Sequence, residues 1–553
     1  MTTPTIDTLE RTRPRNADPA VGAHGRRLLT APLAARVAAA AVIVGVTGDL
    51  LLHESLTGLA FPVWMTLAAL CMIALVWNSG RAMPREAGAW LATALLFSCG
   101  LAWRSAETLQ VFDLLSTVGA LAMAAVALNN ERAALLALRL RDTLWALGAV
   151  VLDVVVGPVP VALELAADGR RERSLRPARP AIRRALIVAA VVLVFGSLLR
   201  SADPIFASLV SLPDFDVDNL VGHVVLTVFF AWVFGGWARS SLAIDPDPRR
   251  APNGMPFSLD MADVTTTLTT LNVLFGAFVA TQLGWFFGGE RFLQARTGLT
   301  VASYARQGFF QMVVVVALVV PLLVATRAAL RPGRELARRH TRLSLPVIGL
   351  LGAIIVSAVL RMKLYVRYYG MTTERFYPLV VMVWLGIVLV WLALTVLRGW
   401  GRPFLAGALV SGLATLAALN VADPDMIVAR INVDRAAHVS LAGEPALDVG
   451  FLASLSGRAV AVATRATLAN SVGPDGSQIR EIDDAQRCEA ARELLARWGP
   501  TSPARLRRSG DAAWRSWNAG EAVALDAVAP HSAELRTVKH AACARARQRP
   551  PQR

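Results

Sequence analysis

The feature that most constrains this chain is a succession of apolar runs, each about twenty residues long and nearly free of charge. A helix rises about 1.5 Å per residue, so about 20 residues cross the hydrocarbon layer of a bilayer. Such runs lie at Leu33 to Leu52, Leu59 to Trp77, Ala87 to Trp103, Leu109 to Leu128, Ile182 to Leu199, Val217 to Trp237, Val264 to Phe287, Gly308 to Ala325, Leu345 to Leu360, Tyr377 to Leu397 and Pro403 to Val421. Inside lipid each backbone N–H and C=O needs a partner, which makes each run a helix. The expected fold class is therefore an all-α integral membrane protein. It is a polytopic bundle of about 11 (10–12) transmembrane helices with a small C-terminal extracytoplasmic helical domain. Only 17% of the chain is charged, below the roughly 25% of soluble proteins, and this excludes an ordinary soluble fold.

The net charge of +16 carries no basic stripe with interleaved aromatics, so nucleic acid is not an expected partner. The excess is Arg, since Lys363 and Lys539 are the only lysines, and much of it sits in short loops. Arg170, Arg171, Arg173, Arg176, Arg179, Arg183 and Arg184 crowd one loop; Arg327, Arg331, Arg334, Arg338, Arg339 and Arg342 crowd another. Cytoplasmic loops collect such residues, so both are expected inside. The apolar piece Thr143 to Leu165 would break that agreement if it crossed, and it contains Asp153, Gly157, Pro158, Pro160 and Glu164. It is read as interfacial or re-entrant. The domains that follow are a disordered basic cytoplasmic arm at 1–31, a membrane domain at 32–421 and an extracytoplasmic helical tail at 422–544. Residues 545–553 form a disordered Arg/Pro-rich end. The tail begins with a turn at Asp423-Pro424-Asp425, and Ile482 to Trp498 has helical spacing. Cys488 and Cys543 lie in that tail, where one disulfide and two free thiols are both compatible with the sequence.

With this topology several polar residues gather outside the membrane. They are Asp203, then Glu290, Tyr304 and Arg306 in a polar loop between two spans, then Arg361, Tyr369, Glu374 and Arg375 in the loop RMKLYVRYYGMTTERFY. Together they would line a vestibule for a small polar or anionic ligand. Arg and Tyr at span ends also serve snorkelling and the aromatic belt, which makes the two carboxylates the more telling members. Gly288-Gly289 and Gly370 are read as supplying backbone freedom to these loops. Within the spans, His223, Asn272, Gln282 and Gln311 need partners in the bundle, and Asp49 stands near the end of the first run beside His53 and Glu54. The signatures of nucleotide hydrolysis, zinc proteolysis and serine hydrolysis are missing, as is paired C-x-x-C, so no metal and no cofactor is expected.

The phrases LLRSADPIFASL, QLGWFFGGE with YARQGFFQ, YYGMTTERFYPLVVMVW and ADPDMIVARINVDRA occur in order over roughly Arg183 to Arg435. They resemble a bacterial family of multi-pass membrane proteins known as domain of unknown function 4173, related in style to the 4153 family. The resemblance extends through LDVGFLASLS and the segment Trp514 to Asn518. It implies a bacterial cytoplasmic membrane and a shared unit formed by these loops, and it brings no activity or catalytic residue. Three functions are compatible with the sequence. One is binding or transport through the outer vestibule; another is an envelope sensor or scaffold whose tail docks a protein partner. The third is an enzyme acting on lipid-linked substrates at the outer leaflet. Enzymatic activity is the less expected outcome, and the lipid bilayer is the one partner common to all three.

Overall fold

A computed structural model describes residues 29–129, 140–156, 161, 217–243, 260–297, 309–330, 333–398, 403–438, 447–469, 482–509 and 513–548. Among them the chain is helical and has no strand. The membrane part comprises α1 (Ala31–Leu52), α2 (Ala60–Asn78), α3 (Arg85–Trp103), α4 (Glu107–Asn129), α5 (Leu140–Val156), α6 (Val217–Leu242), α7 (Met261–Thr297), α8 (Phe309–Ala329), α9 (Arg334–Tyr369), α10 (Thr373–Thr395) and α11 (Pro403–Ala422). Nine of these are long and apolar enough to cross a membrane among the described residues, all but α5 and α8. The run Ile182 to Leu199 lies outside the described residues, and α8 is apolar over the shorter stretch Gln311–Arg327.

Parts of three expected loops are helical instead, on two long helices. α7 runs 37 residues through Gly288 and Gly289 to Thr297, so Glu290 stands on a helix and the glycines do not break it. α9 runs 36 residues, about 54 Å, and takes in both the arginines from Arg334 to Arg342 and the stretch Arg361 to Tyr369. Helix propensity explains both extensions, since Arg and most of the neighbouring residues tolerate a helix once it is propagating. What stops α9 is Gly370, whose φ of 76° is open to glycine at little cost.

The helices pack as two bundles. One buries Val44, Trp64, Met72, Ala124 and Phe234 among α1, α2, α3, α4 and α6. The other buries Leu268, Val316, Leu351, Met382 and Leu392 among α7, α8, α9 and α10. Small residues set the closest approach in the first: a Cβ on Gly45 would lie 2.6 Å from the Thr227 carbonyl oxygen and 2.7 Å from the Ala231 Cβ. Small contact residues are how membrane helices gain packing when lipid is as apolar as their side chains.

Contacts at the helix ends define two faces. Leu59 N–H donates to Trp517 O and Gly58 N–H to Leu101 O, while Met371 N–H donates to the Asn432 side chain. These ends share one face with the tail. At the opposite face, Arg36 donates to Asn78 O, Asn129 to Ser240 O and Thr341 to Leu397 O. α1 and α6 are thus antiparallel, with Asp49 beside His223 and Ala41 beside Gly235. α4 ends at the opposite face and α6 begins at the tail face. The C-terminal end of α5 sits low on α6, where Asp153 pairs with Arg239 at 3.4 Å and Val155 O accepts from Trp232.

The tail carries the helices α12 (Pro424–His438), α13 (Val449–Ser454), α14 (Ala459–Ala469), α15 (Asp484–Trp498), α16 (Pro503–Arg507), α17 (Ala519–Val528) and α18 (Ser532–Gln548) among the described residues. Its core joins Val428, Leu452, Val460, Leu494, Leu525 and Leu535 to Met371, Phe376 and Tyr377 of the membrane part. Asp448, Ser502 and Asn518 cap α13, α16 and α17 through their side-chain oxygens, the role those residue types favour. α18 continues to Gln548, past the boundary expected at 544, and Arg545 pairs with Asp484 at 2.9 Å. Cys488 and Cys543 are joined in a disulfide between α15 and α18.

Candidate functional site

Among the described residues, a buried polar network lies where the membrane helices meet the tail, and Arg104 is its centre. The side chain follows the last residue of α3 and is 7% exposed. Its Nε donates to Asn420 O at 2.6 Å, Nη2 to Val421 O at 3.0 Å and Nη1 to Asp423 Oδ2 at 2.7 Å. The guanidinium therefore takes up two carbonyls that α11 leaves unpaired at its C-terminus, along with the carboxylate that follows. Burial pushes Arg104 down from its usual range, Asp423 opposes this and Arg458 adds to it. Asp423 holds a φ of 62°, the left-handed region, and its other oxygen accepts from Met426 N–H at the start of α12. Two residues on, Asp425 Oδ2 accepts from Ser456 N–H at 2.8 Å and Ser456 Oγ at 2.6 Å. Burial pushes the Asp425 carboxyl up, and the two bonds from Ser456 oppose it. Asn518 closes the junction by donating to Leu101 O and Arg104 O.

Below this junction the polar groups continue into the membrane. Asp113, fully buried on α4, accepts from Asn420 Nδ2 at 2.7 Å through one oxygen, and its second oxygen has no hydrogen-bond partner among the described residues. Gly100 faces that carboxylate, and any Cβ there would collide with it. Tyr377 of α10 is 7% exposed, tilts its ring against Phe112 at 5.9 Å and has a hydroxyl with no partner among the described residues. A hydroxyl in that state is costly unless something else bonds it.

Tyr377 also lines a cleft of about 510 Å³ between α3 and α4 on one side and α10 and α11 on the other. The walls are apolar, with Phe112, Leu115, Trp384 and Leu416 among them. The cleft reaches toward the opposite face at Trp90 and Leu405, near the starts of α3 and α11. Volumes of about 300–1,000 Å³ with few placed polar groups are those of ligand sites.

The residues expected to form a vestibule fare unevenly. Asp203, Tyr304 and Arg306 lie outside the described residues, and of Glu290 and Gln282 only the helical backbone is described. Arg361 is buried on α9, so it is not a loop residue. Tyr369, Gly370 and Arg375 do come together. Arg375 sits 4.3 Å over the Tyr365 ring and donates to Gly370 O at 2.5 Å, which turns its charge inward to hold the α9–α10 joint. Glu374 is exposed in the first turn of α10, and Gln311 is exposed on α8. Asn272 donates to Leu343 O at 2.9 Å and ties α7 to α9. His223 bonds Asp49 at 2.8 Å. Arg104, Asp113, Asp423, Asp425 and Ser456 are not among the residues the sequence marks as a site. Their only local signals are a carboxylate inside an apolar run, an arginine directly after one, and an Asp-Pro-Asp that also reads as an ordinary turn.

This arrangement defines a class: a polytopic helical membrane protein whose C-terminal helices pack against one end of the membrane helices, beside a cleft between them. A family model for a domain of unknown function, DUF4153, matches residues 91–466, more than half of the chain, and the protein belongs to that family. The matched span contains α4, α10, α11 and α3 from Leu91 onward, so it takes in every cleft-lining residue but Trp90. Membership in family 4153 is thereby shown, and the relation to family 4173 is not. No curated protein and no solved structure matches the chain.

Proposed function

We propose that this protein binds an amphiphile from the bilayer, with its chain in the cleft between α3–α4 and α10–α11 and its polar end at Tyr377, under the tail. One observation carries this reading: an apolar cleft whose tail-side wall holds a buried hydroxyl lacking a partner among the described residues. An apolar chain suits the walls, and a hydrogen-bonding headgroup suits the hydroxyl. The protein acts in the bacterial cytoplasmic membrane, with its N-terminus inside and its tail outside. The arginines Arg334, Arg338, Arg339 and Arg342 at the face opposite the tail support that orientation, and so does a disulfide in the tail. Of the three functions compatible with the sequence, lipid-linked chemistry at the outer leaflet lies closest to this reading.

Gly119 lines the cleft and has open space where its Cβ would be. Gly119→Phe should therefore fill the cleft while leaving the helix intact. Lipid extracted from purified protein and counted by native mass spectrometry should show a retained amphiphile in the wild type. It should be absent or reduced about tenfold or more in Gly119→Phe, a loss of about 1.4 kcal/mol. Equal retention in both proteins would refute the reading.

A further inference from the structure

The geometry points to a second site, for a divalent transition metal, built by Asp49, His53 and His223 at the tail-side ends of α1 and α6. The chain has only seven histidines, and two of them meet at one carboxylate from positions 170 residues apart. Asp49 and His53 are spaced i, i+4, which sets both side chains on one helical face, and His223 enters from the antiparallel partner helix. The His223 Nδ1 lies 2.8 Å from Asp49 Oδ2 and 2.9 Å from Oδ1, and the His53 Nδ1 lies 3.5 Å from Oδ1. The three ligand atoms fall within 4.8 Å of one another.

These separations are close to those of a metal site. Bonds of about 2.0–2.1 Å in a tetrahedron place neighbouring ligand atoms about 3.3–3.4 Å apart. The two rings stack at 3.9 Å with 15° between their planes, so one must turn about its Cβ–Cγ bond for both nitrogens to face a common ion. The backbone is already fixed for this. A Cβ on Gly48 would meet the Phe230 ring at 2.6 Å, and Gly222 sits below His53, so the helices cannot drift apart without losing that packing. Asp49 is 6% exposed while His53 is exposed, which leaves the fourth corner toward water on the tail face. Two imidazoles, one carboxylate and an open position suit Zn²⁺, Co²⁺ or Ni²⁺ and not Mg²⁺ or Ca²⁺, which prefer oxygen ligands. This proposal is independent of the cleft, which shares none of these residues.

The test is titration of tag-free, chelator-stripped, full-length protein in detergent with Co²⁺ alone, read by visible absorption. The expected result is one equivalent taken up with the intense bands of a four-coordinate centre. His53→Gln, at an exposed helix end, and His223→Gln should each abolish those bands while eluting on size exclusion as the wild type does. His540→Gln, a distant exposed histidine, should leave them unchanged. The proposal is overturned if the wild type takes up no saturating equivalent, or if the bands survive both His53→Gln and His223→Gln.

Discussion

Arg104 and Asp423 are 319 residues apart in sequence and 2.7 Å apart in space, and this pair fastens the tail to the membrane helices. Their side chains are 8% and 7% exposed, so water does little to screen them. Removing one partner from a buried pair strands the other charge and costs about 3–5 kcal/mol. Arg104→Ala would in addition leave the carbonyls of Asn420 and Val421 without their donor. The expected outcome is a tail that melts earlier and is released by trypsin under conditions where the wild type resists. Arg104→Lys should fall between the two, because one ammonium cannot reproduce a planar fork reaching three acceptors. Wild-type protease resistance in Arg104→Ala would mean that this pair does not fasten the tail.

The Asp425 carboxyl gives the junction a pH dependence of definite sign. Its folded pKa is raised above the ordinary 3.8, chiefly by burial, so the folded protein holds this proton at pH values where the unfolded chain has lost it. Stability from this group is then greatest at low pH and declines as pH rises from 3.8 through the raised value. Asp425→Asn keeps an oxygen for Ser456 and removes the buried charge. It should flatten that decline and be at least as stable as the wild type at neutral pH. Asp425→Ala should instead cost about 1–3 kcal/mol by orphaning the Ser456 donors. Thermal melts of the three proteins across a pH series distinguish these outcomes, and a decline of equal slope in Asp425→Asn would assign the dependence elsewhere.

What the sequence made legible follows from which signals are local. Apolar length identified α1 to α4, α6, α7, α9, α10 and α11 as membrane helices, because crossing lipid demands it of each segment alone. Charge is an unreliable sign of a helix end: Arg361 and Glu290 lie on helices that polar residues merely continue. The junction was hidden for another reason. Arg104, Asp113 and Asn518 acquire meaning only from partners more than 300 residues away, as in Asp113 to Asn420 and Asn518 to Arg104. Arg104 and Asn518 alone read as ordinary helix-end or turn residues, and Asp113 as a single carboxylate inside an apolar run. The Asp49–His223 contact is hidden in the same way, because 174 residues separate two polar groups that each stand alone in the sequence.

The disulfide between Cys488 and Cys543 closes a separation of 55 residues within the tail. A loop of that size corresponds to about 4 kcal/mol of stabilisation on the chain-entropy account. Cys488→Ser paired with Cys543→Ser should lower the melting of the tail and leave the membrane helices in place, since both cysteines lie on α15 and α18, away from the spans. The readout is proteolysis with and without reductant. Wild-type tail should become sensitive on reduction, and the double variant should be sensitive throughout. A tail indifferent to reductant would mean the thiols are free.

Both faces of the bundle can be assigned by labelling from outside intact cells. Single cysteines in a Cys-free background go at Glu374 and Asp526, which are exposed on the tail face, and at Ala82 and Arg334, which are exposed at the opposite one. The arginines at the start of α9 set the expectation: Glu374 and Asp526 should react with a membrane-impermeant maleimide, while Ala82 and Arg334 should react only after permeabilisation. The tail-face pair must behave alike, because Met371 and Asn432 exchange two hydrogen bonds, at 2.8 and 2.7 Å, that bind the α9–α10 joint to α12. A split within that pair would break the fold described above. The inverted pattern would keep the fold, put the tail and the mouth of the cleft in the cytoplasm, and move the amphiphile's polar end to the inner leaflet.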